Sequence, residues 1–271
     1  MRSKKVQMRL RSARGLGLGL LLAGTVAGVA FADDAPVTPL TAEQVVLRMV
    51  ERNEQRAKAL ESYRGTRTYQ LDYHGVTNKS ATLVVAMTYR RPDEKKFSVV
   101  SESGSGVLQG RVLKRLLEAE AEAMQSDQRR QTAMSPDNYE FRLVGYERTC
   151  DPGFYVLEVT PRIKNKFLFR GRIWVQAQDF AVARMEGEPA KNPSWWTKRN
   201  EIHVTYQKVG DFWLPARNET NTQVRIVGHT LLTIVYRDYE ILNADSVQTP
   251  AASASRVGCA EETAKLSQAQ R

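Results

Sequence analysis

The sequence predicts a mainly β protein of the α+β kind, a half-open antiparallel β-barrel of about ten strands covered by two amphipathic helices. Three observations predict it. Apolar residues alternate with polar ones at period two in segment after segment. The turns between these segments, such as Asp151-Pro152-Gly153, Gly210-Asp211 and Gly228-His229, are too short for crossovers, so a meander follows. About ten strands are also more than an open twisted sheet usually carries without curling.

The chain has 271 residues and is 42% hydrophobic, enough to bury a sizeable core. Its formal charge of +10 suggests nucleic acid until the charges are located. Arg2, Lys4, Lys5, Arg9, Arg11 and Arg14 supply six of them, and the remaining +4 is spread without a basic block. No nucleic-acid partner is therefore expected. The same six precede an apolar run from Gly15 to Ala30, and Ala30-Phe31-Ala32 supplies small residues where a signal peptidase reads. Residues 1–32 thus read as a secretory signal peptide, shorter in its apolar part than the roughly 20 residues of a membrane span. Residues 33–245 form one domain, and 246–271, rich in Ala, Ser, Gln and Thr, a flexible tail. The expected location is the periplasm, as a soluble exported monomer. No cysteine follows the apolar run, so there is no lipobox. Cys150 and Cys259 either pair in an oxidising compartment or remain apart.

In chain order, Thr41 and Gln44 form a capping box, and Val45, Val46, Met49, Val50, Ala57 and Leu60 recur at near-helical spacing, so Thr41 to Ser62 reads as an amphipathic helix. Tyr69, Leu71 and Tyr73, then Leu83, Val85, Met87 and Tyr89, then Phe97 and Val99 alternate as three strands. Gly104 and Gly106 break the sheet, and Val107 to Gln125 returns to helical spacing. This second helix is either an ordinary packed helix or a lid, since flanking glycines permit movement. From Tyr139 the chain is again strand-like: Tyr139 to Thr149, Phe154 to Thr160, a hairpin over Lys166 to Pro189, Glu201 to Val209, Phe212 to Val227 and Thr230 to Leu242. The hairpin, with Phe169, Ile173 and Val175 on one parity, reads as the middle of the barrel wall, and Trp174, Phe180 and Arg184 as wall and rim. Trp195-Trp196 sits in a loop, as a core plug or a site for an apolar ligand.

Catalytic patterns are missing. His74, His203 and His229 have no partner at i,i+4; Ser103 and Ser105 do not match a nucleophile elbow; the acidic residues Glu158, Glu186, Glu188 and Glu201 are scattered along strands. No catalytic residue, metal or cofactor is expected, and the protein is not expected to be an enzyme. An apolar hollow under two helices suits acyl chains, which gain about 0.8 kcal/mol per buried CH₂.

Three stretches carry a family resemblance: Leu40 to Tyr73 (LTAEQVVLRMVERNEQRAKALESYRGTRTYQLDY), Gly171 to Pro189 (GRIWVQAQDFAVARMEGEP) and Thr233 to Leu242 (TIVYRDYEIL). Together they resemble the outer-membrane lipoprotein-sorting proteins, the LolA-like carriers, whose relatives include the acceptor LolB and the sensor RseB. The resemblance implies a LolA-like half-open barrel whose cavity takes lipoprotein or lipid acyl chains. It implies two partners, an inner-membrane lipoprotein-releasing transporter and an outer-membrane acceptor. Lining positions would be Tyr69 and Leu71 on the first strand, Leu83, Val85 and Met87 on the second, Phe97 and Val99 on the third, and Phe169 and Ile173 on the hairpin. Alternation alone leaves both parities open, and these residues represent one of them. Leu113, Leu116 and Leu117 would belong to the lid, and Arg67, with Arg64 as the alternative, would lock it. The resemblance also admits an RseB-like envelope-stress sensor using the same cavity.

Overall fold

The computed structural model describes residues 40–92, 94–123, 130–149, 152–165, 167–191, 197–224 and 228–243. The expected signal segment and tail, both cysteines and Trp195-Trp196 lie outside the described residues.

Helix α1 (Ala42–Ala59) starts where the sequence places it. The Thr41 hydroxyl accepts from the Gln44 amide while the Gln44 side chain accepts from the Thr41 amide, so two otherwise orphaned donors are satisfied. It ends earlier than its apolar spacing suggests, because Ser62 already belongs to strand β1 (Ser62–His74), whose start pairs with Arg90 and leaves no room for another helical turn. Strands β2 (Lys79–Arg90) and β3 (Glu94–Gly104) complete the first meander. Gly104 ends it at φ +88°, a conformation favouring glycine, and a Cβ there would come within 2.4 Å of the Ser80 carbonyl oxygen. The chain then passes through α2 (Gly106–Leu108), a π-helical turn (Gln109–Leu113) and α3 (Lys114–Ala123).

Seven strands follow: β4 (Tyr139–Glu147), β5 (Phe154–Pro161), β6 (Phe169–Gln176), β7 (Val182–Pro189), β8 (Thr197–Val209), β9 (Phe212–Val224) and β10 (His229–Ile241). All ten join in one antiparallel sheet of order β3-β2-β1-β10-β9-β8-β7-β6-β5-β4. Each half is the expected meander. The halves meet where β10 returns to β1, with Tyr69 opposite Ile234. The edges are β3 and β4, which are not hydrogen-bonded to each other among the described residues, so the sheet is open. This is the predicted class, mainly β with a ten-stranded antiparallel sheet and accompanying helices. The β6–β7 hairpin is not at its middle, however: it lies third and fourth from the β4 edge, because β10 pairs with β1 and so adds the first meander beyond it, which puts β8 and β9 at the centre.

Candidate functional site

Antiparallel register carries one residue from each strand onto a common face. Leu143, Leu157, Ile173, Met185, Val204, Asn218, Ile234, Tyr69 and Leu83 are successive cross-strand partners from β4 through β2. We call this the inner face, since both helical segments lie on it. At one end α1 brings Val45, Val46 and Met49 onto Tyr139, Leu157, Val159, Leu168, Phe169, Ile173 and Val175. At the other, Leu113 is buried with Tyr69, Leu71, Ala81, Leu83, Val85 and Ile234, and Leu108, Val112, Leu116 and Leu117 pack around it. The π-turn widens the helix where Leu113 meets the sheet.

Between these clusters β7, β8 and β9 present Met185, Ile202, Val204, Tyr206, Asn218 and Thr220, all only partly buried. A third cluster, Tyr63, Met87, Phe212 and Leu214, extends the same face of β1 and β2 towards the β8–β9 turn. Beside it Arg67, 3% exposed, lies over the rings of Tyr236 at 4.8 Å and Phe97 at 5.3 Å. Its Nη1 donates to the Tyr69 hydroxyl at 3.2 Å, and its Nη2 is 3.1 Å from Met87 Sδ. Aromatic faces and a hydroxyl thus hold a cation inside an otherwise apolar wall.

The chosen parity is the buried one on β1 and β2. The structure brings Tyr69, Leu71, Leu83 and Val85 together with Leu113, and packs Phe97, Leu116 and Leu117 against them. Met87 belongs to the third cluster, and Phe169 and Ile173 to the one under α1. Val99 is 50% exposed on edge strand β3, beyond a bulge that shifts the register between Val84 and Val85. Arg64 points to the opposite face and pairs with Glu240 at 2.6 Å. The sequence reading missed Ile234, Leu232 and Tyr236 as partners of β1; their alternation in β10 was the available signal.

The opposite face carries charge. Arg142, Glu158, Arg172, Glu186, His203 and Glu219 alternate in sign as cross-strand neighbours, so the acids that looked scattered form part of an ordered row. A depression of about 410 Å³ over β5–β8 is lined by Arg170, Glu186, Glu188, Arg199, Glu201 and His203 among others. Glu186, whose carboxylate lies 3.9 Å from His203 Nδ1, holds the imidazole pKa above its usual 6.5 despite partial burial, assisted by the charges of Glu201 and Glu219. Arg184 stacks 3.7 Å over Trp174 and bridges Glu147 and Glu186, which makes both wall residues on this face.

A latch the sequence did not reveal ties α1 to the sheet. Arg56 donates to the Asp179 carbonyl, Asp179 accepts from Trp213 Nε1 at 2.9 Å and from Lys208 Nζ at 2.7 Å, and Arg48 lies 5.3 Å from the Phe180 ring centroid. Burial would raise the Asp179 pKa, but the bonds from Lys208 and Trp213 and the charges of Lys208 and Arg56 outweigh it and hold the carboxyl below 3.8. Its stabilisation is therefore full above the unfolded value and lost as pH falls through the folded one. Asp179→Asn is expected to cost about 1–3 kcal/mol at pH 7. It should also flatten the loss of stability below about pH 4, measured by urea unfolding across pH.

The fold and this face define an open-sheet β protein with helices over its apolar side. The chain belongs to a family of unknown function, DUF5686, whose model matches residues 56–239. No curated protein matches it. Among solved structures it is similar to a DUF1329 family protein from Desulfovibrio piger, with 12% identity, TM-score 0.38, and coverage of 77% of this chain and 96% of that one. It is also similar to a LolA superfamily protein from Nitrosomonas europaea, with 11% identity, TM-score 0.35, and coverage of 76% and 95%. A third is an outer membrane lipoprotein-sorting protein domain from Vibrio parahaemolyticus, with 10% identity, TM-score 0.38, and coverage of 76% and 95%. The superfamily that the sequence resembles is thus among them.

Proposed function

We propose that the protein is a periplasmic carrier that binds the acyl chains of lipoproteins or other lipids on its inner face and moves them towards the outer membrane. The observation that carries this reading is the inner face itself. Its cross-strand row is apolar but for Asn218, and at its two ends it is covered by single helical segments. One of these, Gly106–Ala123, is inserted between the two edge strands and follows Gly104, whose positive φ turns the chain out of β3, so it can lift without breaking a strand pairing. An acyl chain entering beneath it gains about 0.8 kcal/mol per buried CH₂ and needs few polar contacts. Binding, rather than a reaction, is the activity this surface supports. The basic and apolar segments before residue 33 support export, and no described helix is long and apolar enough to cross a membrane. A releasing transporter and an acceptor on the outer membrane are the partners such a cycle needs, with Arg67 and its aromatic neighbours steadying the wall beside the lid.

The test is extraction of the natively purified periplasmic protein with organic solvent, followed by mass spectrometry, alongside uptake of a labelled lipopeptide. Near-stoichiometric acyl lipid and saturable uptake are expected. Absence of both overturns the reading.

A further inference from the structure

The inner face changes character at its centre. On β8 and β9 four side chains that share it are amides and hydroxyls: Asn200, Asn218, Thr220 and Thr222. The Thr222 hydroxyl donates to Asn200 Oδ1 at 3.0 Å, and the Thr220 hydroxyl to Asn218 Oδ1 at 3.3 Å. Each amide oxygen is thereby occupied, while neither amide Nδ2 makes a hydrogen bond among the described residues. Asn200 is 8% exposed and Asn218 partly buried, and neither Nδ2 is sealed from solvent. Both amides thus keep N–H donors that an acceptor arriving on this face can reach. Partly buried Ile202 and Val204 interleave with the stripe, and helix-covered apolar clusters lie on either side.

We infer that this stripe is a head-group subsite: it receives the uncharged, hydrogen-bond-accepting end of an acylated ligand, an ester or amide carbonyl or a hydroxyl, while the chain lies on the adjoining apolar face. The inference rests on the carrier reading above and specifies its ligand. None of these four side chains is charged, so they offer donors to a neutral acceptor and no counter-ion to a free carboxylate or phosphate. A glycerol ester and an acylated polypeptide terminus both present that chemistry.

Displacement of the uncharged fluorophore N-phenyl-1-naphthylamine from the full exported chain separates the possibilities. Three competitors with C16 chains are compared: 1-monopalmitoylglycerol, N-palmitoylglycinamide and 1-chlorohexadecane, which has no comparable head. The wild type is expected to prefer at least one head-bearing ligand over the chloroalkane by about tenfold, and which one identifies the source of the head. In Asn218→Leu and in the isosteric Thr220→Val, each checked by thermal melting, that ratio is expected to fall to within about twofold. Should Asn218→Leu not fold, Thr220→Val alone carries the comparison. A wild-type ratio near one, or an unchanged ratio in the folded variants, overturns the subsite and leaves the carrier standing. Failure of all three ligands to displace the fluorophore overturns the carrier reading and the subsite with it.

Discussion

Leu157→Ala is expected to cost about 2–5 kcal/mol and to lower the melting temperature by roughly 5–15 °C. Leu157 has no exposed surface. It sits between Leu143 of β4 and Ile173 of β6 and beneath Val45, Val46 and Met49 of α1, so its removal opens a void that no single element can close by shifting. Phe169, 7% exposed, also belongs here, with its ring so close to Gly187 that a Cβ there would meet it at 2.8 Å. The same helix supplies the control: Leu47 is 69% exposed, and Leu47→Ala should stay within about 0.5 kcal/mol. Calorimetry decides between them. A Leu157→Ala loss below about 1 kcal/mol would mean that α1 is not seated as described.

Leu113→Glu should produce a local change instead. Leu113 is fully buried at the end of the π-turn, facing Tyr69, Leu83 and Ile234. An unpaired carboxylate there is costly to bury, by several kcal/mol, and lifting the helix into water avoids the cost. Hydrogen exchange over residues 106–123 is expected to accelerate by about 100-fold, while β4–β9, which pair among themselves, keep their protection. Unchanged protection, or loss of it throughout the sheet, contradicts a separable lid.

Much of this architecture was legible in the sequence because its signals are local. The Thr41 capping box, the period-two runs and the short turns fixed α1 and nearly every strand, since each depends on residues within a few positions. The helical period of Val107 to Gln125 likewise marked the segment that covers β1 and β2, although a π-turn inside it leaves no such mark. Long-range pairing was not legible. Nothing near Tyr69 names Ile234 as its neighbour, so the β1–β10 seam, the place of the hairpin near one edge and the central polar stripe emerged only from the assembled register. For the same reason Glu158 and Glu186 looked like scattered acids, although register sets them beside Arg142 and Arg172 with alternating sign. The Asp179 latch joins residues of α1, the β6–β7 turn and the β8–β9 hairpin, three places with no shared local pattern.

The central claim is that the acyl chain lies on the inner, helix-covered face and not in the charged depression opposite. Photo-crosslinking with a diazirine-bearing C16 fatty acyl glycerol ester, followed by peptide mass spectrometry, tests it most directly. Adducts competed away by unlabelled ester are expected on β1, β2, β10 and the Gly106–Ala123 segment, around Tyr69, Leu83, Leu113 and Ile234. Competable adducts confined to the depression around Arg170, Glu188 and His203, or no competable adducts, would contradict it.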